Sequence, residues 1–293
     1  MAVTLTANLT HITDPAVQAI FFDGFTAFQE DFSWLNLAPS NKAQIIHQGM
    51  NPAPGYAPHT GGAEIVTRVP KEGYRKTYTW TQVANGLAIE RQLVLTLEQP
   101  VLDRYLQSMG LAAGQFFCQT AYDILNNGYA DTGPDGVSLF SASHPSSVGV
   151  QSNLGASALD ATALNAAYLL MNGITTDDGL KTTLQASLLL VPQALEAKAY
   201  AVTQSQVLDK DLQRSFMQSL GFQVKMSKFL NSPTRWFLAD PRETVKLFNL
   251  FVLQGPNPEI VMRDPATHNY KQTDLIITAA GYDSWRGVVA GNA

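Results

Sequence analysis

The feature that most constrains the fold is a long helical stripe between Pro100 and Gly128. Apolar residues recur there with the period of an amphipathic helix, namely at Leu102, Tyr105, Leu106, Met109, Ala113, Phe116, Phe117, Ala121, Ile124 and Leu125. Pro100 favours a helix start, and Asn126-Asn127-Gly128 favours its end. With a rise of about 1.5 Å per residue, the predicted helix is roughly 40 Å long. Gly110 and Gly114 weaken it slightly and allow another element to approach closely.

The residues before this helix alternate with the period of a β-strand. From Tyr74 to Val83, aromatic and long side chains alternate with Thr and Arg, and the return stretch from Leu87 to Leu95 keeps a spacing of two. Asn85-Gly86, between the two stretches, is typical of a tight hairpin turn. The sequence therefore predicts a long β-hairpin within residues 63–96.

Residues 1–62 predict an N-terminal arm. Pro15 lies in the first turn of an amphipathic helix, whose apolar face consists of Val17, Ile20, Phe21, Phe25 and Phe28. From Pro39 to Gly62 the chain is rich in Pro, Gly, Asn and Gln and lacks periodic apolar residues. Such a segment is expected to be extended and ordered only where it lies against another surface.

Helices and strands alternate in the second half of the chain. Residues 131–159 predict a loop. The periodicity then predicts helices over 161–172 and 193–203, and strands over 185–191, 222–230, 236–239, 259–263 and 273–282. Residues 244–253 fit a helix or a strand equally well. Together with the hairpin and the long helix, this pattern predicts an α+β fold.

Composition excludes several classes of protein. Charged residues are only 15% of the chain, against a usual value of about 25%, which suggests that much of the surface is neutral or covered by other copies. The formal net charge of −5 argues against a dedicated nucleic-acid binder. Apolar runs are far shorter than the roughly 18 residues of a membrane span, and the N-terminus lacks the pattern of a secretory signal. The single cysteine, Cys118, excludes an intrachain disulfide, and its place in the helical stripe predicts a small core residue.

Few residue patterns indicate catalysis or cofactor binding. Ser143-His144 is a poor start for a catalytic triad, because a nucleophile and its base must face each other across a site, so we predict a structural turn. Asp131, Asp135 and Asp177-Asp178 fit turns better than calcium loops. The histidines lack metal-ligand spacing; they are His11, His47, His59, His144 and His268. We therefore predict no catalytic residue, no metal and no cofactor.

Charge is distributed unevenly along the chain. Residues 64–91 carry five bases, Arg68, Lys71, Arg75, Lys76 and Arg91, against three acids, whereas residues 101–205 carry three bases against eight acids. This segment is either a solvated basic hairpin or one that lies over the acidic body of the next copy. On the second reading, the predicted inter-subunit contacts are Arg68, Lys71, Arg75, Lys76, Tyr78 and Trp80.

Five short motifs, in this order and spacing, resemble a known family. They are Gly86-Leu-Ala-Ile-Glu-Arg91, Leu139-Phe-Ser-Ala-Ser-His-Pro145 with Ser152-Asn153 downstream, Leu188-Leu-Leu-Val-Pro192, Thr234-Arg-Trp-Phe-Leu238 and Asp283-Ser-Trp-Arg-Gly287. Together with the order of the predicted elements, they resemble major capsid proteins of tailed bacteriophages with the Hong Kong 97-type fold. The resemblance is closest to the major head subunit family of Mu-like phages, and it spans most of residues 63–287.

The resemblance implies a self-assembling shell subunit, not an enzyme. It implies five parts: an N-terminal arm (1–62), an extended hairpin loop (63–96), a peripheral domain with a spine helix (97–139), an axial domain (140–255) and late strands that return to the peripheral domain (256–293). The basic hairpin would then reach across a neighbouring subunit.

The resemblance also implies partners and a location. The chain would form pentamers and hexamers with itself, and would work with a separate scaffold or maturation protease, a portal protein and a decoration protein. Packaged double-stranded DNA would be contacted non-specifically, inside a virion assembled in the bacterial host cytoplasm, without a membrane. Two alternatives stay open: a nanocompartment shell protein of the same fold, and a hydrolase that uses Ser143 and His144.

Overall fold

The computed structural model describes residues 15–26, 34–50, 56, 59–62, 72–90, 92, 99–204, 212–263 and 270–291. Its helices are α1 (Pro15–Thr26), α2 (Gln99–Asn126), α3 (Ala161–Gly173), α4 (Glu196–Thr203), α5 (Leu212–Ser219) and α6 (Pro241–Leu247). Its strands are β1 (Asn36–Pro39), β2 (Ile45–Met50), β3 (Glu72–Tyr78), β4 (Thr81–Ile89), β5 (Leu188–Pro192), β6 (Gln223–Ser227), β7 (Trp236–Ala239), β8 (Phe248–Gln254), β9 (Glu259–Arg263), β10 (Tyr270–Tyr282) and β11 (Val288–Gly291).

The strands form three sheets. A five-stranded sheet has the order β1-β8-β10-β4, with β9 also paired to β10, and a four-stranded sheet has the order β11-β7-β5-β6. The third is a two-stranded antiparallel ribbon of β2 and β3, called the ribbon below. Most strand pairs are antiparallel, but β1 with β8 and β5 with β6 are parallel. This combination of helices with mostly antiparallel sheets confirms the predicted α+β class.

The predicted long helix is confirmed as α2. Its buried residues Met109, Ala113, Phe117, Ala121 and Leu125 enter the main hydrophobic core. Cys118 is buried as well, in agreement with its prediction as a core residue.

Helix α1 packs against α2 at two glycines. A β-carbon built on Gly110 would lie 1.9 Å from the Phe21 carbonyl oxygen, and one on Gly24 would lie 2.2 Å from the Gln107 carbonyl oxygen. Real side-chain carbons do not approach backbone atoms so closely, so only glycine permits this contact. The predicted close approach of another element at Gly110 is therefore confirmed, and its partner is α1.

The predicted hairpin turn at Asn85-Gly86 was wrong. Both residues lie inside β4, where Asn85 pairs with Asp274 and Gly86 with Thr273 of β10, and the φ angle of Gly86 is not positive. The alternation of residues 81–89 is that of a single strand, and its nine-position ladder with β10 outweighs the local turn preference. Chain-distant pairing of this kind leaves no local signal.

The antiparallel partner of β3 is β2, from the segment predicted to be part of the arm. Ile45 pairs with Tyr78 and Gln48 with Arg75 across the ribbon. The described part of the predicted hairpin segment, residues 72–90 and 92, therefore divides between the ribbon and the five-stranded sheet. The boundaries of the five predicted domains otherwise stay predictions.

The stretch 244–253, which fitted a helix or a strand, contains both. Helix α6 ends at Leu247 and β8 begins at Phe248. Asp240 caps α6 by accepting a hydrogen bond from the Arg242 amide, and Pro241 occupies the first turn, where a missing amide proton costs nothing.

One continuous core joins the two larger sheets. It includes Leu125 of α2, Leu164 of α3, Leu189 of β5 and Phe248 of β8, all fully buried. A second, small cluster of Ile45, Tyr78, Phe251 and Ala279 lies where the ribbon meets the five-stranded sheet. Within the described residues, no helix combines the length and the apolar character that a bilayer crossing requires.

Candidate functional site

Two polar clusters meet at the segment between β10 and β11. This segment, Asp283-Ser-Trp-Arg-Gly287, is called the connector below, and it contains the last of the sequence motifs. Its first residue, Asp283, faces the ribbon, whereas Trp285 and Arg286 face the loops of residues 135–153 and 174–181.

The first cluster, called the base cluster, joins the ribbon to the five-stranded sheet. It consists of Asn36, His47, Tyr78, Asn249 and Asp283. The Tyr78 hydroxyl donates to Asp283 Oδ1 at 2.7 Å, and His47 Nδ1 lies 2.7 Å from Asp283 Oδ2. Asn249 Nδ2 donates both to Asp283 Oδ2 and to the Tyr78 hydroxyl, each at 3.0 Å. One carboxylate therefore receives hydrogen bonds from both ribbon strands and from β8.

Aromatic packing supports the same contact. The Tyr78 ring meets Phe251 edge-on with centroids 5.0 Å apart, and the His47 ring lies 5.5 Å from Phe251. Burial, followed by the negative charge of Asp283, raises the pKa of the Tyr78 hydroxyl far above its usual range. The Tyr78 hydroxyl therefore stays protonated at neutral pH and acts as a hydrogen-bond donor at the foot of the ribbon.

The second cluster is built around His144, which is fully buried. Its Nδ1 lies 2.6 Å from Asp135 Oδ2, and its Nε2 lies 3.1 Å from Asn153 Oδ1. Its ring stacks on Trp285 with centroids 4.1 Å apart and planes inclined by 12°. The Asn153 amide donates to the carbonyl oxygens of Leu139 and Val288, so its Oδ1 is an acceptor, and His144 Nε2 must donate to it.

This geometry gives His144 a structural role. Its Nδ1 is occupied by Asp135 and its Nε2 by Asn153, so neither nitrogen is left to act on Ser143. The Ser143 hydroxyl instead lies 3.2 Å from the Ser141 hydroxyl. The arrangement therefore fits the predicted turn and lacks the nucleophile–base contact that the hydrolase alternative needs.

Arg286 ties the connector to the loop of residues 174–181. Its Nε donates to the Thr175 carbonyl at 3.0 Å, and its guanidinium pairs with Asp177 at 2.9 Å. The same guanidinium lies 4.8 Å from the centre of the Trp285 ring, a cation–π contact. The Asp177 carboxylate is thus an ion-pair partner, within the turn that the sequence predicted.

A cleft separates the ribbon from the connector. One cavity of about 260 Å³ lies between Tyr74 of β3, Asp135, Asp177 and Trp285, and a neighbouring one of about 320 Å³ lies between His47, Lys76 and Asp283. Partial burial, followed by the carboxylates of Asp177 and Asp135, raises the pKa of Tyr74.

The predicted inter-subunit residues fall in different places. Arg75 is exposed on β3, and Lys76 is half-buried with its ammonium 5.3 Å from the centre of the Tyr282 ring. Trp80 is half-buried and donates to the carbonyls of Lys42 and Ala43. Tyr78 has only 2% of its surface exposed, and its hydroxyl is bonded within its own subunit, so this placement does not favour a contact with a neighbour. Arg68 and Lys71 lie outside the described residues.

The histidines and acidic turns gather no metal ligands in the described part of the chain. There, no group of three or more His, Cys, Asp or Glu side chains is arranged to hold an ion. His47 and His144 serve the two clusters, and His59 is exposed. His11 and His268 lie outside the described residues.

Sequence reasoning missed the partners that define both clusters. Asp135, Asn153, Trp285 and Asp283 attracted attention only as turn residues or as parts of motifs. The sole signal was indirect, since Ser152-Asn153 and the connector both belong to the motifs that carry the family resemblance.

Comparisons with known proteins agree with this fold. A family described as phage capsid protein matches residues 73–291. No curated protein sequence matches the chain.

Three solved capsid or particle structures are similar over most of the chain. The capsid of bacteriophage JBD30, decorated with minor capsid protein trimers, is 18% identical over 69% of this chain and 91% of its own, with a TM-score of 0.57. The mature capsid of bacteriophage PhiM1 is 12% identical over 90% of this chain and 87% of its own, with a TM-score of 0.61. The virus-like particle from Pyrococcus furiosus is 9% identical over 94% of this chain and 97% of its own, with a TM-score of 0.54.

Proposed function

Because the chain belongs to the phage capsid protein family, we propose that its ribbon is the element that links neighbouring subunits in the assembled shell. The family and the Hong Kong 97-type fold make the chain a structural subunit that associates with copies of itself in the virion. The proposal identifies the part of the subunit that makes the contact with its neighbour.

The observation that carries the proposal is the way the ribbon is attached. A two-stranded ribbon is marginally stable alone, and this one is fastened at its foot by the base cluster. Toward the other end, Arg75 and Gln48 face each other as exposed partners. The ribbon carries an exposed Arg75 and a half-buried Lys76 against one acid, Glu72, whereas residues 101–205 of the body carry eight acids against three bases. These charges would be complementary between two copies. Arg68, Lys71, Arg75, Lys76 and Trp80 are the proposed contact residues.

The finer assignments follow from the same family. The copies would gather into pentamers and hexamers around the axial part, residues 140–255, with α2 as the spine of the peripheral part. A separate scaffold or maturation protease, a portal protein and a decoration protein are the proposed partners. Decoration is supported by the JBD30 capsid, which carries minor capsid protein trimers. Double-stranded DNA would be contacted non-specifically, and assembly would take place in the bacterial host cytoplasm.

A nanocompartment shell is the second candidate, favoured by the likeness to the virus-like particle from Pyrococcus furiosus. The two candidates differ in their contents. Shells purified from the cells that naturally produce the chain should hold nucleic acid if it encloses a genome, and packaged protein if it forms a nanocompartment. Neither result bears on the ribbon.

The ribbon proposal is tested by removing its outer part and keeping its foot. Joining Gln48 to Arg75 through Asn-Gly closes the ribbon at an existing pair, since this dipeptide favours a two-residue hairpin turn. His47, Lys76 and Tyr78 remain, and β4 keeps its ladder with β10. We expect a folded, soluble subunit that forms no shells by electron microscopy and light scattering, whereas the full-length chain, with its scaffold, forms them. Normal shells from the shortened chain would refute a linking role for the outer part of the ribbon and leave the family assignment untouched. The part played by Arg75 and Lys76, which the shortened chain keeps, is measured separately by reversing their charges.

A further inference from the structure

We propose that the base cluster is a latch, in which Asp283 fixes the angle at which the ribbon leaves the body of the subunit. This inference concerns the single chain, so it holds or fails whether or not the ribbon touches a neighbour. It assigns Asp283 the role of a positioning residue for the ribbon.

The hydrogen bonds between ribbon and body converge on one point. Among the described residues, the side-chain hydrogen bonds from β2 and β3 to the rest of the subunit all end on Asp283 or Asn249. His47 contributes from β2 and Tyr78 from β3, so both strands are held at the same carboxylate. Releasing that carboxylate would free both strands together.

The body side of the latch is rigidly mounted. Asn249 lies on β8, and its Oδ1 accepts a hydrogen bond from Asn36 of β1, its register partner, at 2.9 Å. Asn249 is therefore oriented by the five-stranded sheet before it donates to Asp283. Hydrogen bonds to a charged acceptor are stronger than those to a neutral one, and Asp283 accepts three of them in a largely buried place. Removing its carboxylate would leave the three donors unpaired.

Close packing fixes the crossing of β3 over the end of β10. A β-carbon built on Gly281 would lie 3.1 Å from Tyr78 Cε1 and 3.4 Å from Lys76 Cε, so the absence of a side chain lets the ribbon rest on this strand. Lys76 also covers the Tyr282 ring. The hydrogen bonds thus act on a ribbon that already touches the body at its foot.

The connector links the latch to the second cluster. Two residues after Asp283, Trp285 stacks on His144, and Arg286 then pairs with Asp177. The Asp283 backbone is itself anchored, because its amide donates to the Leu247 carbonyl at 2.8 Å. The backbone of Asp283 is therefore held in place by its neighbours, which explains how a single side chain can set the direction of two strands.

The latch is tested by hydrogen exchange on full-length subunits kept unassembled at low concentration. The variants are Asp283→Asn, which removes the charge at constant shape, and Tyr78→Phe, which removes one donor. Tyr74→Phe is the matched control, the same change on the same strand outside the base cluster. We expect amides of residues 45–50 and 72–78 to exchange about tenfold faster in both variants, because a hydrogen bond to a charged group is lost. The control and the buried strands β5 and β7 should exchange at wild-type rates.

Combining the two substitutions separates a shared latch from two independent contacts. If Tyr78 acts through Asp283, the double variant should exchange no faster than Asp283→Asn alone. Effects that multiply would overturn the shared latch, and wild-type rates in both single variants would overturn the inference as a whole. If Asp283→Asn also speeds amide exchange in β5 and β7, the variant has loosened the whole subunit. The latch is then tested by comparing Tyr78→Phe with Tyr74→Phe.

Discussion

Buried and partly buried carboxylates in this subunit are held in two different ways. Asp240, Asp135 and Asp283 are each matched with several donors or a cation. Asp274, with 4% of its surface exposed, accepts from the Asn257 amide at 2.8 Å, yet burial raises its pKa despite this bond and one from the Leu275 amide. The carboxylates of the first group therefore have donors or a cation to pair with, whereas the burial of Asp274 opposes its negative charge.

We predict that Asp274→Asn stabilises the subunit at neutral pH. The asparagine keeps an oxygen for the Asn257 amide and removes the buried charge, so the melting temperature at pH 7 should rise by about 2 °C. A carboxyl whose pKa is raised on folding stabilises the fold when protonated, and this contribution is lost as pH rises through the folded-state pKa. The difference in melting temperature between the variant and the wild type should therefore shrink as the pH falls toward the pKa of a free carboxyl group.

Thermal melts between pH 4 and pH 7 check this prediction, with Asp178→Asn as the exposed control. The control should show no pH-dependent advantage over the wild type. A variant that melts at or below the wild-type temperature at pH 7 would show that the Asp274 charge is compensated.

Single-residue roles were predictable from the sequence where they depend on local pattern. Cys118 was correctly predicted as a core residue, because its place in the helical stripe decides its burial. The partners of His144 could not be predicted, since Trp285 reaches it only through the packing of distant segments. Hydrogen bonds between remote side chains leave no periodic trace in a sequence.

At the scale of elements, the contact between α1 and α2 depends on the absence of two side chains. Gly110 and Gly24 bring the helices together so closely that backbone touches backbone. The contact of Phe25 with Phe117, whose ring centroids are 5.7 Å apart, adds an edge-to-face aromatic pair to the same interface. Backbone contact at the two glycines and this aromatic pair therefore hold the short helix against the long one.

We predict that Gly110→Ala displaces α1 from α2. The added carbon would clash with the Phe21 carbonyl, and overpacking of this kind costs about 1–3 kcal/mol, more than alanine gains in helix propensity. Amides of residues 15–26 should exchange faster and the melting temperature should fall. Gly173→Ala is the control, because a β-carbon there meets nothing within 4 Å. A higher melting temperature with α1 still protected would contradict the close contact.

Helices and strands could be predicted where a periodic pattern of apolar residues continues over many consecutive positions. The α2 prediction, Pro100–Gly128, differs from the structure by one or two residues at its ends. The hairpin prediction was wrong because the strand that pairs with β4 comes from residues 270–278, and the strand that pairs with β3 comes from residues 45–50. Strand pairing across such distances is decided by the packed sheet, which no local dipeptide can indicate.

At the scale of the whole molecule, the two larger sheets share one core, whereas the ribbon has its own small one. The body can therefore fold as a unit without the outer part of the ribbon. The fold class and the family were within reach of the sequence, because they depend on the order of elements and motifs. The position of the ribbon could not be predicted from the sequence. Its observed position changes the choice of residues that should be altered to test assembly.

We predict that Arg75→Glu with Lys76→Glu weakens assembly without unfolding the subunit. Arg75 is exposed and Lys76 half-buried, so reversing their charge should turn attraction to an acidic neighbour into repulsion. The loss should be larger at low salt, because exposed charges are least screened there. Sedimentation and light scattering at two salt concentrations measure it, together with a thermal melt of the free subunit.

The matched control for this pair is Arg104→Glu with Lys42→Glu, which makes the same change in net charge at two exposed positions outside the ribbon and outside the proposed axial part. Equal weakening by both pairs would mean that general repulsion between acidic subunits is responsible, not the ribbon. Arg75→Glu alone adds a further distinction, because Lys76 also covers the Tyr282 ring at the foot of the ribbon. If the single variant already slows assembly while ribbon amides stay protected, the effect arises at the contact with a neighbour. If only the pair acts, and the ribbon amides exchange faster, the loss arises from a ribbon that has left its position on the body.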